Sequence, residues 1–240
     1  MEWLTDPLQL EVFRRALIEA VVMGAAAGAI GAYVVLRRLA FIGDALAHAV
    51  FPGVVLAYVA GLPIFIGALV AGTLTSLAIA VVSRGQRIRE DTAIGIFFAG
   101  AFALGIVLIS TQSGYQRDLS AFLVGDLLAV GWDDIAFSGL TGLVVIGILV
   151  ALRKELLVVS FDRTYAQGLG YPVFLLELLL LLLLTATIVV SLSAVGIILV
   201  LAMLVTPAAT ARLLVDRFTP MMGIGGALGA LYGIVGWYVS

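Results

Sequence analysis

Arg37-Arg38-Leu39-Ala40-Phe41-Ile42-Gly43-Asp44-Ala45-Leu46-Ala47-His48-Ala49-Val50-Phe51-Pro52-Gly53 places an aspartate and a histidine in otherwise apolar surroundings. His48 is the single histidine of the chain. Asp44 and His48 are four residues apart, so on a helix both project from one face. A carboxylate and an imidazole on one face can hold a cation together. An aspartate at the centre of a membrane helix costs about 2.5–3.5 kcal/mol on insertion scales. The pair is therefore expected to face protein or a water-filled path. The plainer alternative is a polar pair near a membrane end, satisfied by water or by backbone.

Composition bounds the rest. Of the 240 residues, 63% are hydrophobic and only 12% are charged, and the mean hydropathy is +1.21. A soluble domain carries about 25% charged residues. The chain reads as an all-α polytopic membrane protein. A net charge of −2 says little about partners. No basic run or nucleic-acid motif is present, so no nucleic-acid partner is expected. The absence of cysteine excludes disulfides, thiolate metal sites and iron–sulfur chemistry. Met1 to Glu11 carries three acids and no base, the wrong sign for the start of a cleavable signal.

Apolar runs near bilayer length fall at about Phe13–Leu36, Ala45–Ala60, Leu62–Val82, Thr92–Ser110, Asp134–Leu152, Val173–Ser191, Ala194–Leu214 and Thr219–Val239. A span needs roughly 17–25 residues, so about eight membrane helices are expected, in a single domain covering 1–240. The second run is short, and a start nearer Leu39 puts Asp44 and His48 inside the membrane. Pro172 and Pro220 stand at or just before helix starts, where a missing N–H costs little. Pro207 lies inside a span, where a kink is expected. With the N-terminus outside, the inner loops 37–44, 83–91, 153–172 and 212–219 hold ten of the 13 basic residues. Only Arg14, Arg15 and Arg117 then fall outside, which favours this orientation over its inverse.

Two loops are long enough to carry a task. In the inner one, 153–172, Phe161–Gln167 can form two helical turns that Gly168 and Gly170 end. It is either a docking knob for a cytoplasmic partner or an ordinary amphipathic linker. In the outer one, Thr111–Trp132, the semi-apolar piece Leu119–Val130 is expected to form a short helix at the outer surface. Gly24 and Gly28, and the row Gly225, Gly229 and Gly233, recur every four residues and are expected to bring helices close together. Leu178–Leu184 reads as lipid-facing or core. Glu177 before it is a snorkelling acid or a half-buried partner of an arginine.

Several chemistries are missing. There is no Gly-x-x-x-x-Gly-Lys-Ser/Thr loop for ATP, and one histidine cannot make a His-Glu-x-x-His zinc protease. A Gly-x-Ser-x-Gly elbow is absent too. No catalytic residues are assigned, and transport is the expected task. Any energy must come from a partner or from an ion gradient.

Arg37-Arg38 followed by Phe41 to Gly53 closely resembles the arginine … Gly-Asp-Ala-x-Ser/Ala-His-x-x-x-Pro-Gly pattern of the membrane permease subunits of zinc/manganese/iron ABC importers. Phe122 to Val130 resembles the family's Leu-Phe-Gly-x-x-Leu-x-Val segment. Asp162 with Ala166, Gly168 and Gly170 resembles its loop that docks the ATPase. Leu204 to Leu214 resembles its late Pro-Ala-Ala-x-Ala-Arg segment. The resemblance spans nearly the whole chain; its first and last stretches are specific and the other two are weak alone. Family members usually continue past the position of Ser240 with a further hydrophobic segment.

The resemblance implies a homodimer of permeases in a prokaryotic plasma membrane, in contact with lipid. It implies two cytoplasmic ATPase subunits that bind ATP, and an extracytoplasmic metal-binding protein that delivers the cation. It maps pathway ligands for the metal onto Asp44 and His48. It places ATPase coupling at Phe161, Asp162, Ala166, Gly168 and Gly170, with Ala166 the closest approach to the partner. Oxygen plus imidazole suits zinc, manganese or ferrous iron and argues against copper(I). Two alternatives stand beside it. One is a proton-coupled secondary metal transporter without an ATPase. The other is an ABC permease for an iron chelate or a cobalamin-like substrate, whose path should need no ligand pair.

Overall fold

The computed structural model describes residues 10–85, 87–111 and 130–239, and for residues 193–195 and 197–198 the backbone alone. Ten helices are described: α1 Glu11–Leu36, α2 Ile42–Ala49, α3 Phe51–Val59, α4 Ile64–Ser83, α5 Glu90–Ser110, α6 Trp132–Ala151, α7 Arg153–Phe161, α8 Arg163–Gly168, α9 Val173–Leu214 and α10 Phe218–Val239. Among the described residues, seven helices are long and apolar enough to cross a membrane, with α2 and α3 together making one of them. Leu199–Leu214, the second part of α9, is a shorter apolar helix. All eight apolar runs of the sequence are therefore helical. The expected surface helix at Leu119–Val130 and the motif Phe122–Val130 lie, but for Val130, outside the described residues.

The chain forms two compact units. In the first, α1 runs against α10, and α6 lies beside α1. The glycine rows do what their period implies. A Cβ on Gly24 would sit 2.3 Å from the Gly229 carbonyl oxygen, and one on Gly233 would sit 2.5 Å from that of Ala20. The two backbones thus touch with no side chain between them. In a bilayer, where lipid tails are as apolar as leucine, such contact is what holds helices together. Tyr33 and Phe218 add an edge-to-face ring pair at 4.6 Å.

The second unit holds α2 to α5, α7, α8 and most of the first part of α9. Glycine again sets the closest approach: Gly53 of α3 and Gly67 of α4 each point the missing Cβ at the other's carbonyl. Ser76 of α4 and Thr185 of α9 share a buried hydroxyl hydrogen bond of 2.7 Å. The leucine run belongs to the core, with Leu180, Leu181, Leu183 and Leu184 buried.

Two backbone breaks shape the chain. α1 ends through Arg38, which takes the left-handed conformation at φ 59°, a costly state for a residue with a Cβ. The long helix α9 breaks at Gly196, whose φ of 72° and ψ of 171° leave the helical range, and Pro207 lies inside its second part. Glycine lacks the Cβ that penalises such a turn.

Candidate functional site

Asp44 and His48 both sit on α2, one turn apart. Pro52 explains why this helix stops where it does. Lacking an N–H, it cannot bond the His48 carbonyl, and the helix breaks at Val50 before α3 begins. His48 Nδ1 lies 2.9 Å from the Asp44 carbonyl oxygen and 3.3 Å from its carboxylate Oδ1. This geometry assigns the proton to Nδ1, donated to the carbonyl. The Nε2 lone pair is then left for a cation, the arrangement in which histidine usually binds metal. The side chains keep 22% and 27% of their surface, so an ion can reach both.

The histidine ring has a second restraint that the sequence reading did not single out. Phe98 and Phe102 of α5, four residues apart, meet the imidazole edge-to-face at 5.6 and 5.2 Å. They stack on each other at 6.2 Å. Phe51 reaches Phe102 at 6.1 Å, and its ring fills the space where a Cβ on Gly105 would sit. A signal was present: two phenylalanines at helical spacing in an apolar run. Rings around an imidazole hold its plane and exclude water from one side.

Among the described residues, no group of three or more His, Cys, Asp or Glu side chains comes together. Within the described residues the pair therefore offers one carboxylate and one imidazole, with no third such group beside them.

A further intramembrane acid also escaped the sequence reading. Glu19 in α1 is 1% exposed and accepts a hydrogen bond from the Ser138 hydroxyl of α6. An acid in an apolar run is itself the signal. Its hydroxyl partner joins two helices of the first unit.

The loop 153–172 is helical almost throughout. Asp162 caps α8, its Oδ1 accepting from the Tyr165 amide at 2.9 Å. Gly170, at φ 82°, closes the far end, where the Tyr171 amide returns to the Ala166 carbonyl at 3.1 Å. Phe161, Tyr165 and Leu169 are 71%, 61% and 53% exposed, whereas Ala166 has no exposed surface. Asp162, Gly168 and Gly170 are exposed. Ala166 is thus enclosed by its own chain and does not offer the outward contact point expected of it. At this spacing the outer face of so short a helix falls to the residue beside it. Glu177, 4% exposed, proves to be the partner of an arginine: its Oε2 lies 2.7 Å from Arg163 Nη2.

Comparison with known proteins identifies the family of the chain. The model of the ABC 3 transport family matches residues 9–240. The manganese transport system membrane protein MntC of Halalkalibacterium halodurans is 44% identical over 97% of this chain and 80% of its own length. The chelated iron transport system membrane protein YfeC of Yersinia pestis is 36% identical over 100% of this chain and 81% of its own. The solved PsaBC from Streptococcus pneumoniae superposes with a TM-score of 0.84 at 37% identity, covering 99% of this chain and 86% of that one. The chain belongs to the ABC 3 transport family, as a multi-pass membrane permease of the metal type.

Proposed function

We propose that the chain is the permease of an ATP-driven importer that carries a divalent transition metal into the cytoplasm. Asp44 and His48 contact the ion as it passes. The observation that carries this is the His48 geometry: Nδ1 held by the Asp44 carbonyl at 2.9 Å, beside the Asp44 carboxylate. One oxygen and one imidazole nitrogen suit manganese, ferrous iron or zinc. Relatives named for manganese and for chelated iron favour the first two. A pathway site must release its ion, so a small donor set is an advantage.

Two copies of the chain bring two such pairs together, giving four donors. The exposed face Phe161, Tyr165 and Leu169, on the loop 153–172, docks a cytoplasmic ATPase that binds ATP. An extracytoplasmic binding protein delivers the ion, and the N-terminus is extracytoplasmic. The test is elemental analysis of cells with and without this gene, grown in metal-limited medium. A selective loss of manganese or iron is expected. Unchanged contents of manganese, iron and zinc would refute the proposal.

A further inference from the structure

In the second unit a cavity of about 330 Å³ opens where α4 ends and α9 begins, lined by Arg84, Arg163, Gln167, Phe174 and Leu175 among others. Arg84 directly follows α4, and its guanidinium lies over the Phe174 ring at 4.9 Å. Among the described residues no carboxylate pairs with it. Arg163 is partly committed: one amino group is on Glu177 and the other donates to the Ser83 carbonyl at 3.3 Å. Its Nε is shut off from solvent without a partner. Both guanidiniums line the cavity and, among the described residues, no carboxylate does, so the wall carries an excess of positive charge. Leu175, in the first turn of a membrane helix, is 60% exposed and continues the wall into apolar surface.

The cavity therefore joins a cationic, donor-rich end to an apolar one. Both α4 and α9 cross the membrane by length and composition, so their adjoining ends mark the water–bilayer boundary. A free anion would use only the polar end. A lipid carries both chemistries, and basic pockets between membrane helices recognise anionic head groups. Arginine suits a phosphate in particular, through paired N–H donors. We propose that this cavity binds an anionic phospholipid, its phosphate on Arg84 and its acyl chain along Leu175.

The test uses the purified full-length chain, delipidated in detergent. Its melting temperature is read with added phosphatidylglycerol, with phosphatidylcholine, and with inorganic phosphate. Phosphatidylglycerol should raise it by about 2–4 °C, phosphatidylcholine and phosphate should not, and Arg84→Gln should lose most of the rise. An equal rise in Arg84→Gln, or with phosphatidylcholine, would overturn the proposal. A rise with phosphate alone would replace the lipid by a free anion. If Arg84→Gln kept the lipid response but lost a co-purifying ATPase, the cavity would be a protein contact instead. Mass spectrometry of lipid retained by the wild-type chain is independent of any variant. It should find an anionic phospholipid, and zwitterionic lipid alone would contradict the assignment.

Discussion

Arg163, the first residue of α8, reaches Glu177 in the first part of α9 with 2.7 Å between Nη2 and Oε2. The same guanidinium donates to the carbonyl of Ser83, the last residue of α4. One side chain therefore ties the loop helix to the ends of two membrane helices. A push on α8 is passed to both, because one planar guanidinium holds a carboxylate of α9 and a carbonyl of α4 at once. The carboxylate is 5% exposed and the arginine 23%, so the pair lies largely out of water.

Breaking such a pair strands the remaining charge. Arg163→Met is expected to destabilise the chain by about 3–5 kcal/mol, and Arg163→Met with Glu177→Leu by much less. Thermal melting of the purified variants in detergent checks this. Equal losses in the single and the double variant would show that the pair does not act as a unit.

The loop's outward face gives a second prediction. Phe161→Ala and Tyr165→Ala should leave melting nearly unchanged and weaken co-purification of an ATPase with the tagged permease. Ala166→Trp should instead lower the melting temperature of the permease itself. Ala166 has no exposed surface, and overpacking costs about 1–3 kcal/mol. A fully stable Ala166→Trp variant would contradict the burial.

The cap of the same helix is separately testable. Asp162→Ala removes the acceptor of the Tyr165 amide and should cost about 0.5–2 kcal/mol, with Asp162→Asn much milder. Hydrogen exchange of the amides of 163–168 reports it, faster exchange being the expected result.

Glycine packing offers a contrast within α10. A Cβ on Gly229 would lie 2.0 Å from the Gly24 carbonyl oxygen, whereas those on Gly223 and Gly236 meet nothing within 4 Å. Gly229→Ala should force α1 and α10 apart and lower the melting temperature. Gly223→Ala and Gly236→Ala should be neutral or slightly stabilising, because alanine favours helix. Equal effects at the three positions would refute close backbone packing.

Much of this was legible before any coordinate. Hydrophobic run length found the membrane helices because lipid demands it, and period-four glycines marked closely packed faces on α1 and α10, though not that the two faces meet each other. Asp44 and His48 were legible because their spacing matches a helical turn. Phe98 and Phe102 were not singled out: aromatic residues in a membrane helix look alike whether they face lipid, core or a histidine. Glu19 went unremarked beside the more obvious aspartate–histidine pair. The boundary between the runs Val173–Ser191 and Ala194–Leu214 was legible to within a few residues, and the break itself falls at Gly196, where glycine tolerates the left-handed φ. Which face of α8 points outward depends on how the loop folds back on its own unit, and six residues are too few for a pattern to show it.

The claim that matters most is that Asp44 and His48 contact the cargo. The direct measurement is initial-rate uptake of radioactive manganese by cells carrying the wild-type chain, Asp44→Ala, His48→Ala or both, at matched membrane levels. Each single variant is expected to fall to the rate of cells without the permease, with the double variant no lower. Wild-type uptake in a well-assembled double variant would contradict the account.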